Sequence, residues 1–165
     1  MKMNIEVVRA DYENSRHQLD IPFLLNVYAC DPMGGGEPLK DDVMCNLVPA
    51  LSAIPHAFSI LAYVNDKPAG LVNCFEGFST FACKPLINIH DICVLGEYRG
   101  MGLSQRLLEK VEAVAKEKGC CKITLEVLSN NTVAKSAYEK FGFSGYELDP
   151  KAGSAVFWQK NLEAV

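Results

Sequence analysis

The chain has 165 residues and a mass of 18.1 kDa, within the usual range of one domain. Its composition, 49% hydrophobic against 22% charged, excludes a disordered or fibrous chain. A formal net charge of -4 leaves no broad basic surface for a nucleic-acid backbone, although backbone amides can still hold phosphate locally.

Residues 4–9 (NIEVVR) alternate and are β-branched, which predicts a first strand. Asp20-Ile21-Pro22 offers a cap and then a first-turn proline. The helix it predicts carries Phe23, Leu24, Val27 and Tyr28 inward and stops near Asp31-Pro32. Residues 31–39 (DPMGGGEPL) hold two prolines and three consecutive glycines, and no regular element is expected there. A second helix follows from Asp41 or Asp42, with Val43, Leu47 and Leu51 on one face.

The middle of the chain is β-rich. Residues 57–64 read as a strand, 65–68 as a turn and 69–75 as the hairpin partner. The run 86–95 (LINIHDICVL) is apolar on both faces, which places it inside a sheet. Residues 102–118 carry Leu103, Leu107, Val111, Val114 and Ala115 at helical spacing, and Gly119 marks the end. Residues 122–128 alternate as a strand. Asn131 caps a helix to about Lys140, ended by Gly142, and 143–148 with 155–160 form a last pair of strands. The order is strand, two helices, three strands, helix, strand, helix, two strands: one α/β domain over residues 1–165.

Seven cysteines form no C-x-x-C pair, and most sit in apolar runs such as LVNCF and DICVL, so buried reduced thiols are expected. A metal set of Cys83, His90 and Cys93 fits no zinc spacing, and no metal is expected. MKMNIEVVRAD lacks the apolar core and cleavage site of a signal peptide. No apolar run approaches the ~18 residues that span a bilayer. These features predict a soluble, cytoplasmic protein.

The most informative stretch is VLGEYRGMGLSQRLLEKVEAVAKEKG, where a buried strand runs through Arg99-Gly100-Met101-Gly102-Leu103-Ser104 into an amphipathic helix. Unpaired amides and the helix dipole make such a start attractive to anions. Glycines let the backbone come close, and Arg99 adds a permanent charge. The P-loop pattern is absent, and the dinucleotide pattern G-x-G-x-x-G lacks its third glycine. The stretch is thus either a pyrophosphate cradle or a glycine turn that joins strand to helix.

Arg99-Gly-Met-Gly102-Leu-Ser104 resembles the R/Q-x-x-G-x-G/A motif of the GCN5-related N-acetyltransferase (GNAT) superfamily, with Ser104 replacing the usual Gly/Ala. Asn131-Thr-Val-Ala134-Lys-Ser-Ala-Tyr138-Glu-Lys-Phe-Gly-Phe143 is similar to that family's N-x-x-A-x-x-x-Y-x-x-x-G-F helix. The resemblance implies a GNAT-like α/β fold: a mixed twisted sheet of about seven strands and about four helices, splayed between strands 86–95 and 122–128. It implies acetyl-CoA as co-substrate, with the amides of Arg99, Gly100, Met101, Gly102, Leu103 and Ser104 around the pyrophosphate. The pantetheine arm would lie in the splay against the backbone of Ile92, Cys93 and Val94.

For Tyr138 the resemblance implies protonation of the departing thiolate, the favoured reading; an aromatic packing beside Phe141 is the other. Asn131 either caps its helix or also contacts the CoA arm. His90 lies where relatives similar to polyamine acetyltransferases carry a glutamate base; a structural strand histidine is the other reading. Alternation puts His90 with Ile92 and Val94 on one face, and Asp91 with Cys93 on the other, where Asp91 serves as a polar anchor. The acceptor pocket is expected from residues 20–53, with 77–81 as a second rim. There Asp31, Glu37, Asp41 and Asp42 either attract a cationic substrate or belong to an ordinary solvated surface.

The expected activity is acetyl transfer to a primary amine of a small molecule by direct attack in a ternary complex. A protein lysine or N-terminal amine is the alternative acceptor, and a non-catalytic acyl-CoA sensor the alternative role. Neither nucleic acid nor membrane is expected as partner, and a homodimer is admissible.

Overall fold

The computed structural model describes residues 3–147 and 149–162, which fall into two units, Met1–Leu128 and Ser129–Val165. The first unit holds β1 (Ile5–Arg9), α1 (Ser15–Cys30), α2 (Asp41–Ser52), β2 (Ala57–Val64), β3 (Lys67–Ser79), β4 (Lys84–Val94), α3 (Leu103–Glu117) and β5 (Ile123–Leu125). The sheet runs in chain order from β1 to β5. Neighbours are antiparallel except β4 and β5, which are parallel and joined through α3. At the β2–β3 turn Asn65 and Asp66 both have positive φ, 48° and 63°, as a two-residue hairpin loop that follows strand twist requires.

Two layers of helix cover this sheet. On one side Ile21, Leu24, Val48 and Leu51 of α1 and α2 pack with Leu61, Tyr63 and Leu71. A separate cluster joins Leu103 of α3 to Val64 and Ala69, with Val94 and Met101 against it. Leu107, Leu108, Val111, Val114 and Ala115 continue the buried stripe of α3 at three- and four-residue spacing. Each fully buried leucine contributes about 1.5–3 kcal/mol.

Several expectations need correction. α1 begins at Ser15, about two turns before Pro22, because Asn14 caps it by accepting from the Arg16 and His17 amides. Its apolar stripe is Ile21, Leu24, Leu25 and Tyr28; Phe23 and Val27 lie off that stripe and are exposed. Likewise α2 buries Val48 and Leu51 while Val43 is exposed. β3 extends to Ser79, so residues 77–79 belong to a strand. The glycine-rich loop contains one 3-10 turn, Pro32–Gly34, capped by Asp31. Of the cysteines Cys74 is buried and Cys93 and Cys120 are half-buried; Cys30, Cys45, Cys83 and Cys121 are exposed, Cys45 within α2 but apart from its buried Val48 and Leu51, the others at a helix end or in a turn or loop.

In the second unit, α4 spans Thr132–Phe141. Asn131 Oδ1 accepts from the Ala134 amide at 3.2 Å, and Gly142 at φ 111° ends the helix with its amide bonded to Tyr138 O. The two strands expected over 143–148 and 155–160 do not form among the described residues. One antiparallel bridge pairs Glu147 with Ser154, just ahead of the second expected segment, and position 148 lies outside the described residues. Alternation marks a pleated face, but a strand exists only where a neighbour pairs along its length. The sheet therefore has five strands rather than about seven.

Candidate active site

The junction from β4 to α3 is the segment expected to cradle an anion. Gly100 and Gly102 sit at φ 79° and 75°, left-handed values that any Cβ would strain. Gly102 is the N-cap of α3, and no side chain caps that start. The helical ladder begins with the Arg106 amide donating to Gly102 O at 3.3 Å, so the preceding amides point out of the helix end. Leu103 is buried and Met101 packs beside it, so both bring backbone alone to the cradle. Arg99 Nε donates to Val94 O at 3.4 Å and its Nη2 pairs with Asp31 Oδ2 at 3.3 Å. Asp31 titrates below its ordinary range, chiefly because the Met33 amide donates to it, with Arg99 adding to the effect.

Upstream, β4 offers an open edge. It pairs with β5 only from Ile87 to Ile89, opposite Ile123 to Leu125. Asn88 Nδ2 fastens that last stretch, reaching Thr124 Oγ1 at 3.1 Å. The Leu95 amide bonds Ala69 O, so alternation turns the backbone groups of Cys93 and Asp91 toward β3 and those of Ile92 and Val94 away from it. The Cys93 thiol faces α1, 3.7 Å from Leu24 O, and burial pushes its pKa up to about 12.

A β-bulge sits in the middle of this strand. Asn73 pairs with Asp91 and Cys74 with Ile89, leaving His90 as the extra residue. The His90 ring lies edge-on to Phe75 at 5.6 Å, and Phe75 packs on the α1–α2 side. His90 and Asp91 therefore share one face, contrary to simple alternation, because the extra residue resets the pleat. His90 is exposed and Asp91 half-buried.

Behind Asp91 runs a line of polar groups that sequence reading missed. Tyr12 Oη meets Ser59 Oγ at 2.9 Å, Ser59 Oγ donates to Asn73 Oδ1 at 2.7 Å, and Asn73 Nδ2 donates to Asp91 Oδ2 at 3.1 Å. Ser59 and Asn73 are 0% and 3% exposed, and they are the buried polar residues of the core. Their signal was in view: each is a lone polar residue inside an apolar strand, FSI and VNC. On the α1 side, Tyr28 is raised above its usual range, first by burial and then by the negative charge of Asp91.

Of the other expected residues, Asp41 and Asp42 occupy the first turn of α2, where acids complement a helix dipole. In the second unit, Tyr138 has Phe143 rather than Phe141 against its ring, with centroids 6.0 Å apart. Asn131 acts as the cap described above. Among the described residues no group of three metal-binding side chains comes together, and no helix is long and apolar enough to cross a membrane.

The model of the acetyltransferase (GNAT) family matches residues 22–143. A thialysine N-epsilon-acetyltransferase of Bos taurus is 41% identical over 56 residues, covering 34% of this chain and 33% of that protein. The chain thus spans about a third of the length of that curated relative. An aminoglycoside N(6')-acetyltransferase type 1 of Acinetobacter baumannii is 24% identical over 129 residues, covering 76% of this chain and 84% of that one. The solved structure of an aminoglycoside N-acetyltransferase in complex with CoA superposes with a TM-score of 0.74 over 97% of each chain, at 18% identity.

Proposed function

The chain belongs to the acetyltransferase (GNAT) family, and from that premise we propose that it moves an acetyl group from acetyl-CoA to a primary amine of a small molecule, by direct attack in a ternary complex. The observation that carries this reading is the uncapped start of α3 between left-handed glycines, directly after the open edge of β4. Outward amides, the helix dipole and Arg99 suit a pyrophosphate. The outward-facing backbone of Ile92 and the outward amide of Val94 suit an extended arm laid beside the strand.

Acetyl-CoA, when bound, supplies an activated carbonyl and a thiol leaving group. His90 takes a proton from the amine as nitrogen bonds the carbonyl carbon. Tyr138 gives a proton to sulfur as the C–S bond breaks, a role that rests on the family motif. The two proton transfers balance, and the chemistry calls for no metal ion. Small amines as acceptors are supported by the thialysine and aminoglycoside relatives. The family match runs through residues of both units, which supports one acetyltransferase domain. Seven free thiols suit a reducing cytoplasm.

The test has two stages. Saturating acetyl-CoA at about 100 times its Kd should stabilise the protein by about 2.7 kcal/mol, read as a rise in Tm. Release of free thiol is then followed with butylamine, 1,4-diaminobutane, kanamycin and a lysine-bearing peptide. Turnover of an amine supports the proposal, turnover of the peptide alone gives a protein acetyltransferase, and binding without turnover gives a sensor. Tyr138→Phe should lower kcat on the order of 100-fold with acetyl-CoA protection intact. His90→Gln should abolish the acid limb of the pH–rate profile, and an unchanged profile would remove it as base.

A further inference from the structure

The polar line behind Asp91 has a fixed direction. Asn73 Nδ2 faces the carboxylate, so its Oδ1 faces Ser59 and accepts. Ser59 has a single hydroxyl hydrogen, and it goes to that oxygen. The Tyr12 hydroxyl must then donate to Ser59 rather than accept. Every donor from Tyr12 through Ser59 and Asn73 points toward Asp91, and the chain ends on an acceptor. Buried hydrogen bonds in series polarise one another, so the chain holds the Asn73 amide, and through it Asp91 Oδ2, in one orientation.

Among the described residues the Asp91 side chain has one hydrogen-bond partner, Asn73, and no ion pair. Asp91 is half-buried and its one hydrogen bond is to Oδ2, so its second oxygen offers acceptor capacity to a donor arriving from the open side. Asp91 stands on the same face as His90, one residue from it, and its field reaches the Tyr28 hydroxyl on α1.

We propose that Asp91 is the acceptor-binding carboxylate, which holds an ammonium group of a cationic amine, and that Tyr12, Ser59 and Asn73 are its positioning residues. The assignment rests on the acetyltransferase reading above, and it divides the labour on β4: Asp91 anchors charge while His90 moves a proton. It also makes the acceptor cationic in the bound state, so diamines and polyamines are favoured over monoamines, since a second ammonium stays charged while the first reacts.

Steady-state kinetics with butylamine, 1,4-diaminobutane and kanamycin test it. Asp91→Asn should raise KM for the diamine or for kanamycin roughly 10- to 100-fold, with acetyl-CoA protection against heat unchanged. Ser59→Ala, which cuts the chain two residues away, should raise the same constant roughly 3- to 10-fold, and Ser59→Thr, which keeps the hydroxyl, should restore it. A purely structural Ser59 would lower Tm in the alanine variant and leave KM alone. If Asp91→Asn does not fold, the Ser59 pair decides by itself. Wild-type turnover with KM unmoved in these variants overturns the Asp91 assignment alone. A wild type that binds acetyl-CoA but acetylates none of the amines overturns the reading on which it rests, and this assignment with it.

Discussion

Gly102 shows how much a single backbone angle governs. At φ 75° with open space beside its Cα, it needs glycine for conformation and not for room. Gly102→Ala adds about 1–2 kcal/mol of left-handed strain. Relief by rotation would turn the helix-start amides, so acetyl-CoA should bind on the order of 10-fold more weakly, measured by heat protection or calorimetry; an unchanged Kd would count against the cradle. The glycines and Arg99 were legible in the sequence because the motif is local. His90 and Asp91 were legible as residues but not as a pair on one face. A one-residue bulge leaves no mark in a single strand, since it arises from register with β3. The Tyr12–Ser59–Asn73 chain is a contact between three separated segments, and local pattern cannot join them.

At the scale of elements, α3 and α1 differ in how plainly they are written. α3 has a stripe of six buried residues, from Leu103 to Ala115, and its bounds match the periodicity to within a residue or so. Leu107 is fully buried in that stripe, and Leu107→Ala should cost about 2–5 kcal/mol in urea or guanidinium unfolding. A loss below ~1 kcal/mol would mean that the helix packs loosely over the sheet. α1 starts with the polar run SRHQLD, so its first turns carry no apolar stripe, and Pro22 looks like a beginning. In fact Pro22 lies inside the helix, where the one amide it lacks would have bonded Gln18 O. Burial of Ile21 and Leu24 holds the helix through that gap. The two strands expected near the C-terminus failed for the reverse reason: local pattern was present, but pairing was reduced to one bridge.

At the scale of the molecule, burial sets a limit on alkaline stability. The pKa of the Cys93 thiol is raised to about 12, and burial also raises the Cys74 thiol and the Tyr63 hydroxyl above their ordinary values. In the unfolded chain such a thiol loses its proton near its ordinary value of 9.0. Above that pH the unfolded state binds fewer protons than the native one, so stability falls as pH rises from about 9 toward 12. Below about 9 this contribution is fully present. Denaturant unfolding across that window should show the decline, with each such thiol steepening it by up to ~1.4 kcal/mol per pH unit. Cys93→Ala should flatten the slope, and an unaltered slope would place the titration elsewhere. The acidic excess of the chain is compatible with the proposed phosphate cradle, which would draw on local groups: one guanidinium, shared with Asp31, and the end of one helix.

The bulge also bears on what the sheet can spare. Before it, Ile87 and Ile89 pair with Glu76 and Cys74, residues of one parity in β3; after it, Asp91 and Cys93 pair with Asn73 and Leu71, residues of the other. Two consecutive β4 residues on opposite faces would normally be numbered one apart, and here they are 89 and 91. A chain shortened by His90 alone would thus read as an uninterrupted strand, with every other side chain of β4 on the face it has now. His90 is in that sense a supernumerary letter, one the architecture could delete without rewriting its neighbours.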